Sequence, residues 1–323
     1  MNWKSLNAII GESAAIVALR ETIRTIAPSK LSVLIEGPTG SGKELVAAAL
    51  HAMSGRRGDY VAFNVCAISD SMFDDALFGH VRGAYTGALG DSPGFLREAN
   101  GGTVFLDEIG VLHPTLQAKL LRALETGSFR PVGAKHDAIS EFRVVSATNV
   151  SRAELVETGR LRADLGYRLA GALLRVPPLS ERVEDIPLLV RSFLTRMGVA
   201  DTIDHVVLDL LVAHSWPGNV RELRNVIECA VALGGLDTRT VSQLIAQGKD
   251  GTVLTALMAR RQELRAALDA NAWDPEATAR ALGVHRATIY RWINECGLVA
   301  PALSQPSRNG RAAHRDKRET PAG

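Results

Sequence analysis

Leu31-Ser32-Val33-Leu34-Ile35-Glu36-Gly37-Pro38-Thr39-Gly40-Ser41-Gly42-Lys43-Glu44 decides the fold. Its first six residues are a short, largely apolar run, which reads as a buried parallel strand. The run ends in a glycine-rich turn, and the Ala/Leu-rich stretch from Glu44 to Met53 reads as the helix that follows. Strand, glycine loop and helix form the context in which GxxxxGK wraps its backbone N–H groups around phosphate oxygens. The helix N-terminus adds partial positive charge there. Lys43 supplies a full charge for the β- and γ-phosphates of a nucleotide. The residue after this lysine is usually Ser or Thr, whose hydroxyl takes Mg²⁺. Here it is Glu44, so other groups must hold the metal.

Outward from this loop, Tyr60 to Asn64, Thr103 to Leu106 and Phe142 to Ala147 are further strand candidates. Helical patterns at Ser71 to Phe78 and Pro114 to Thr126 separate them. Strands alternating with helices predict an α/β domain with a mainly parallel sheet. Asp107 and Glu108 emerge at the end of the Thr103 strand, the edge where parallel sheets bind ligands. Asp107 is the candidate Mg²⁺ ligand, and Glu108 the candidate group that polarises an attacking water.

After Pro177-Pro178 the strand signals stop. Asp185 to Arg196, Asp204 to His214 and Asn219 to Leu233 read as helices, followed by Gly234-Gly235 and a polar stretch through Gly251. A last helical block runs from about Leu254 to Gly297. Within it, Pro275 to Leu282 and Arg286 to Glu295 read as two short helices joined by Gly283-Val284-His285. Ile289 and Ile293 share one face. Arg286, Thr288 and Arg291 lie off that stripe, where a helix could enter a major groove. Beyond Pro301, five basic residues (Arg308, Arg311, Arg315, Lys317, Arg318) stand against Asp316 and Glu319 in a stretch with no apolar period, read as a disordered basic tail.

The bulk numbers set limits. The 323 residues suggest roughly two to three domains. A hydrophobic content of 46% with 22% charged residues fits a soluble globular chain. A net charge of +2 excludes a polycation, so any nucleic-acid surface is local. Cys66, Cys229 and Cys296 lie far apart with no metal-ligand spacing, which suits a reducing cytosol. The first residues carry no apolar secretory signal, and no run approaches the roughly 18 apolar residues of a membrane helix. A cytoplasmic location with no membrane partner is expected.

Ile9 to Leu223 resembles the central AAA+ domain of bacterial enhancer-binding proteins, the sigma-54-dependent transcription activators. The resemblance rests on Ile9-Ile10-Gly11-Glu12-Ser13, Gly37–Glu44, Leu77-Phe78-Gly79-His80, Gly83-Ala84-Tyr85-Thr86-Gly87-Ala88 and Thr103–Glu108. It continues through Ala147-Thr148-Asn149, Asp164–Leu169 and Trp216-Pro217-Gly218-Asn219-Val220-Arg221-Glu222-Leu223. It makes Glu44 the family's normal residue and implies an ATPase with ATP and Mg²⁺ as cofactors. Ile10 and Gly11 would lie near the adenine, and Gly37, Pro38, Thr39, Gly40, Ser41, Gly42, Lys43 and Glu44 around the phosphates. Asn64 would hydrogen-bond Glu108, Asn149 would fall at sensor I and Arg221 at sensor II. Arg162 and Arg168 resemble arginine fingers that enter a neighbouring subunit's site, so the active form would be a ring, hexameric by analogy and built through dimers.

By the same resemblance, Gly83, Ala84, Tyr85, Thr86, Gly87 and Ala88 would contact the sigma-54 factor of RNA polymerase. Tyr85 replaces the family's Phe, Val65 stands after Asn64 where the family has Cys, and Gly166 replaces an aromatic. The segment around Arg286, Thr288 and Arg291 resembles a Fis-type helix-turn-helix that binds enhancer DNA. The expected organisation is an α/β AAA+ P-loop core at 1–172, a helical lid at 173–240, a linker at 241–253, a DNA-binding unit at 254–300 and the tail at 301–323. Because the core begins near Met1, no N-terminal regulatory domain is expected, and control would come from expression or from a trans-acting regulatory protein. Two other readings stay open. One is a DNA-binding regulator that senses nucleotide without remodelling. The other is an AAA+ remodeller of a different client.

Overall fold

Period-two alternation sends neighbouring residues of each strand to opposite faces of one sheet. In chain order, the first half of the computed structural model holds α1 (Ala14–Ile26), β1 (Val33–Glu36), α2 (Lys43–Ala52), β2 (Tyr60–Asn64), α3 (Asp70–Phe78), α4 (Phe95–Glu98), β3 (Thr103–Asp107) and α5 (Pro114–Thr126). The strands β4 (Ser128–Phe129) and β5 (Ala138–Ile139) form a separate antiparallel pair. β6 (Arg143–Thr148), α6 (Arg152–Glu157), α7 (Ala163–Leu169) and β7 (Ala172–Arg175) complete the α/β part. The structure describes residues 6–68, 70–199, 203–233, 235–247, 264–284 and 286–295.

The five-stranded sheet has the order β2-β3-β6-β1-β7, with every neighbouring pair parallel. Val33 and Ile35 pack on one face with Phe105, Val145, α1 and α2. Leu34, Val104, Leu106 and Val144 pack on the other with residues of α3, α5 and α7. Two helical layers therefore sandwich the sheet. The register places Asn64 beside Asp107 and Glu36 beside Thr148, so the strand ends that precede the chemistry share one edge. β7 had no counterpart among the strands read from sequence. It pairs with β1 from Val33 to Glu36, which carries the sheet past the expected boundary at residue 172.

Arg143 is 2% exposed at the opposite edge of β6. Its guanidinium donates to the carbonyls of Leu31 (2.9 Å), Ala27 (2.6 Å) and Ile26 (3.0 Å), tying the end of α1 to the start of β1. Burial pushes its pKa down to about 10, with a small contribution from the charge of Arg56.

The lid comprises α8 (Ile186–Arg196), α9 (His205–Ala213), α10 (Asn219–Ala232) and α11 (Thr238–Gln247) around a core that includes Leu189, Phe193, Leu211, Trp216, Leu223 and Ile227. Trp216 is buried and donates its indole N–H to the Leu211 carbonyl at 2.7 Å. α11 runs across the expected start of the linker at residue 241. Val241 and Leu244, three apart, are buried in the lid core, a spacing that the surrounding polar residues obscure. The rest of that linker, from residue 248, lies outside the described residues.

The chain divides after Thr255. The second unit contains a helix α12 over 264–270, then α13 (Pro275–Ala281) and α14 (Arg286–Glu295). Asp274 caps α13 by accepting the Glu276 N–H at 2.9 Å, and Pro275 occupies its first turn. Gly283 turns the chain at φ +65°. Leu264, Leu268, Ala279 and Ile289 form the core, with Trp292 and Ile293 against it. The expected helical reading from Leu254 to 263, His285 of the turn and the tail at 301–323 lie outside the described residues. Among the described residues no helix is long and apolar enough to cross a membrane.

Candidate active site

Gly37 to Gly42 leave β1 and curl beneath the lid before Lys43 opens α2. The Gly37 N–H donates to the Thr148 carbonyl at 3.2 Å, which fixes the loop to β6. Gly40 and Gly42 have φ of +78° and +107°. A Cβ on Gly40 would collide with the Gly218 carbonyl, and one on Gly37 would lie 2.8 Å from the Val176 carbonyl. Both positions therefore require glycine on grounds of space. Lys43 is 7% exposed. Its Nζ donates to the Gly37 carbonyl at 2.8 Å and stands 3.8 Å from Glu108 Oε1. Burial holds the Lys43 pKa below the usual lysine range, against the raising effect of Glu108 and then Asp107; the Arg221 charge adds to the lowering.

Three consecutive loop carbonyls are each held by a donor from the lid. Asn219 Nδ2 donates to Thr39 O at 3.0 Å, the Arg221 backbone N–H to Gly40 O at 3.3 Å, and Arg182 Nη2 to Ser41 O at 2.9 Å. Carbonyls engaged on the lid side point the N–H groups of their own peptides away from the lid; of these, the Ser41 N–H donates to the Pro38 carbonyl at 3.2 Å. Asn219 has φ +54° and accepts the Leu179 N–H at Oδ1, so a strained backbone aims its amide at the loop. Arg182 is 3% exposed, and its pKa is lowered by burial in spite of the nearby Asp185 charge. Its Nε and the hydroxyl of Ser41 are buried polar atoms with no protein partner.

Asp185, fully buried, clamps the N-terminal strap. It accepts the backbone N–H groups of Glu12 (2.7 Å) and Ser13 (2.8 Å) and the Ser13 hydroxyl (2.7 Å). Arg20 holds the same strap through the carbonyls of Ile9 and Gly11. A Cβ on Gly11, whose φ is +145°, would lie 2.6 Å from Asp185 Oδ2. The strap, the loop and the lid enclose a cavity of about 60 Å³ lined by Ile9, Ile10, Val46, Leu189, Arg182 and Val220 among others. A larger cavity of about 380 Å³ lies away from the loop, between Phe78, Lys119, Arg122, Phe129 and Arg130. It contains none of the residues expected to bind nucleotide.

Sequence reasoning placed Ile10, Gly11 and Arg221 here but missed Arg182, Asp185 and Asn219. The available signal was a pair of opposite charges, Arg182 and Asp185, three apart among apolar Leu179, Val183 and Ile186. Asn219 directly after Pro217-Gly218 was a second signal, since Asn tolerates left-handed backbone.

Asp107 and Glu108 close the site from the sheet. Glu108 has φ +56°, a left-handed conformation costly for a side-chain-bearing residue, and Asp107 Oδ1 accepts its N–H at 3.0 Å. Asn64 ends β2 beside Asp107, but its Oδ1 accepts the Cys66 N–H at 2.8 Å, so that oxygen caps the following turn. Val65 is buried in the core and Cys66 is exposed. Asn149 follows Thr148, whose carbonyl anchors Gly37, and is itself exposed.

The site fits a nucleoside triphosphate: two glycines admit no Cβ, a buried lysine has only backbone carbonyls as hydrogen-bond partners, and buried polar atoms lie unpaired beside an apolar cavity. Among the described residues no cluster of three His, Cys, Asp or Glu could cage a metal. Magnesium held by a carboxylate and phosphate oxygens needs none.

A profile of the Sigma-54 interaction domain matches residues 9–175, and one of the AAA+ ATPase lid domain matches residues 180–253. The chain belongs to the sigma-54 interaction domain family. It is 46% identical over 235 residues to the transcriptional regulator VasH of Vibrio cholerae, covering 70% of this chain and 44% of that protein. It is 39% identical over 297 residues to the transcriptional regulatory protein ZraR of Klebsiella oxytoca, covering 87% and 67%. The crystal structure of NtrX from Brucella abortus in complex with ADP superposes with a TM-score of 0.68 at 30% identity, covering 91% of this chain and 70% of that one. The parallel α/β AAA+ fold with a helical lid is thus common to both.

In this sigma-54 interaction domain the candidate arginine fingers stand apart from the loop. Arg162 pairs with Asp164 through Nη2 at 2.8 Å and Nε at 3.1 Å, which raises the Arg162 pKa and lowers that of Asp164. Arg168 Nη2 donates to the Leu124 carbonyl at 2.7 Å. Both side chains are exposed, on or beside α7. Gly166 is buried against Leu161 and Val156, where a Cβ would stand 3.3 and 3.4 Å from their side chains, so it is a tight packing position.

Gly83 to Ala88 form a loop whose stem pairs His80 with Ser92 and Val132. The Gly83 N–H donates to the Ala88 carbonyl at 2.9 Å, and Ala88 is buried. Tyr85 is half exposed, and its hydroxyl donates to Asp75 at 3.2 Å.

In the second unit, the exposed Arg286 guanidinium lies over the Tyr290 ring and pairs with Glu276 at 3.7 Å. Thr288 and Arg291 belong to the same helix, and their side chains lie outside the described residues.

Proposed function

We propose that this chain is an ATP-hydrolysing transcription activator. In this reading it binds upstream enhancer DNA through α14 and remodels sigma-54 RNA polymerase from the closed to the open promoter complex. The observation that carries the reading is the split site: Lys43, Asp107 and Glu108 converge on the loop, while Arg162 and Arg168 are exposed away from it. Such a site is completed by a neighbour, which supports a ring of subunits.

Gly37 to Glu44 would bind the triphosphate and Asp107 would share Mg²⁺ with its oxygens. The metal, when bound, offsets charge on the transferring phosphoryl group. Glu108 would hold the attacking water, Asn64 and Asn149 would respond to the γ-phosphate, and Arg221 would reach it from the lid. Arg162 and Arg168 would stabilise the transition state in the adjacent subunit. Gly83 to Ala88 would carry the resulting motion to sigma-54. Arg286, Thr288 and Arg291 would read a major groove.

The test is mixing. Arg162→Ala and Glu108→Gln should each lower ATP turnover at least ~100-fold, since each removes a group acting only on the transition state. An equimolar mixture should regain activity, because an Arg162→Ala site can borrow the finger of a Glu108→Gln neighbour. A mixture as inactive as its components refutes the shared site. Hydrolysis without capture of sigma-54 in the presence of a planar phosphate analogue would favour a different client. Nucleotide binding without any hydrolysis by the parent would favour nucleotide sensing alone.

A further inference from the structure

Tyr85 brings a hydroxyl to the tip of the Gly83–Ala88 loop, and that hydroxyl is not left to water. It donates to Asp75 Oδ2 on α3 at 3.2 Å. The other oxygen of Asp75 is hydrogen-bonded to His80 Nδ1. His80 in turn presents its ring to Tyr85 in an edge-on contact, with centroids 5.2 Å apart. Three side chains thus close a ring of contacts from the helix to the loop tip. The partial burial of the phenol and the Asp75 carboxylate both raise the Tyr85 pKa, so it remains a donor.

Gly83 and Gly87 have φ of +80° and +105°, and a Cβ on either would meet nothing within 4 Å. Those two positions have open space around them, whereas the middle is packed. Ala84 lies so close to Gly133 that a Cβ there would fall 2.8 Å away.

We propose that Asp75 is a positioning residue that latches the loop against its own domain through Tyr85, with His80 orienting the carboxylate. A Tyr85 ring bound edge-on to His80 is not free to enter a partner, so engagement requires the Tyr85–Asp75 bond to break. This inference rests on the reading of Gly83–Ala88 as the partner-contact loop. The latch itself is a property of the isolated chain.

The experiment measures amide hydrogen exchange of the full chain without sigma factor in Tyr85→Phe, Asp75→Ala and the double variant, with thermal melting as the folding control. Loss of one hydrogen bond to a carboxylate at a half-exposed site should speed exchange of the Gly83–Ala88 amides about fivefold in Tyr85→Phe, and at least as much in Asp75→Ala, which also loses the His80 contact. The double variant should be no faster than Asp75→Ala alone, because that variant has already lost the Tyr85 bond along with the His80 one. Exchange in β3 should not change. Unchanged loop exchange in both single variants, or effects that multiply in the double, overturns the latch.

A second arm titrates a planar phosphate analogue and reads capture of purified sigma-54. Asp75→Ala should capture at a lower analogue concentration than the parent. If capture is intact but indifferent to Asp75→Ala, the latch fails and the partner reading stands. Faster loop exchange with no capture by any form supports the latch and rejects sigma-54 as the partner.

Discussion

Removing the Asp185 carboxylate should unlock the nucleotide site from its N-terminal side. Asp185 is fully buried and accepts three hydrogen bonds from the Glu12–Ser13 strap. Its charge also favours the buried Arg182 guanidinium that holds Ser41. Asp185→Ala leaves two peptide N–H groups and a hydroxyl without this acceptor and removes the charge that favours the buried Arg182 cation. An unsatisfied buried donor costs about 1–3 kcal/mol, and three such donors lose their acceptor here. Water entering the vacated space recovers part of this, so a net loss of about 4 kcal/mol is expected. In a unit of this size, that corresponds to a fall of about 8–16 °C in melting temperature. The assay is thermal and urea unfolding with and without ADP. The variant should also lose most of the stabilisation that ADP gives the parent, because the strap lines the cavity beside Ile9 and Ile10. Asp185→Asn keeps an acceptor for the two N–H groups and should lose about half as much. A melting temperature within about 2 °C of the parent for Asp185→Ala, with ADP stabilisation intact, refutes the clamp.

Two further outcomes follow from packing. Gly40→Ala puts a methyl into the Gly218 carbonyl at a φ of +78°. It should weaken ADP binding at least ~10-fold by separating lid and loop, measured with a fluorescent nucleotide. Arg143→Met fills similar volume but strands the carbonyls of Leu31, Ala27 and Ile26. It should destabilise the chain by about 3 kcal/mol in urea, and Arg143→Lys should not restore it, because one ammonium cannot span three acceptors held by a planar fork.

What could be read from sequence was what lies in contiguous residues. The strand–loop–helix at Leu31 to Met53, the carboxylates after Thr103–Leu106 and the helix at Pro114–Thr126 announce themselves by local pattern, and the structure places them there. The helix pair at Pro275 and Arg286 was legible for the same reason. β7 was not, because four residues ending before Pro177-Pro178 carry too little pattern to distinguish an edge strand from a loop. α11 was hidden because, among its described residues, only Val241 and Leu244 are deeply buried. The Arg182–Ser41 and Asp185–Ser13 contacts join residues 141 and 172 apart, and no local period encodes them. Their common trace was charge in an apolar setting. Asn64 shows the converse. Its place at the end of β2 was legible, yet the partner of its oxygen is a neighbouring turn, which only the folded backbone reveals.

The three lid donors on Thr39, Gly40 and Ser41 have a mechanical consequence. A peptide plane is rigid, so pulling on its oxygen rotates its nitrogen by the same angle. Torque applied to α10 or to the turn before α8 is therefore delivered to the amides of the Gly37–Gly42 loop, the candidate phosphate site. Reciprocally, filling those amides stiffens the lid. An adjoining molecule leaning on the roof could thus set how long a spent nucleotide stays, without touching the nucleotide.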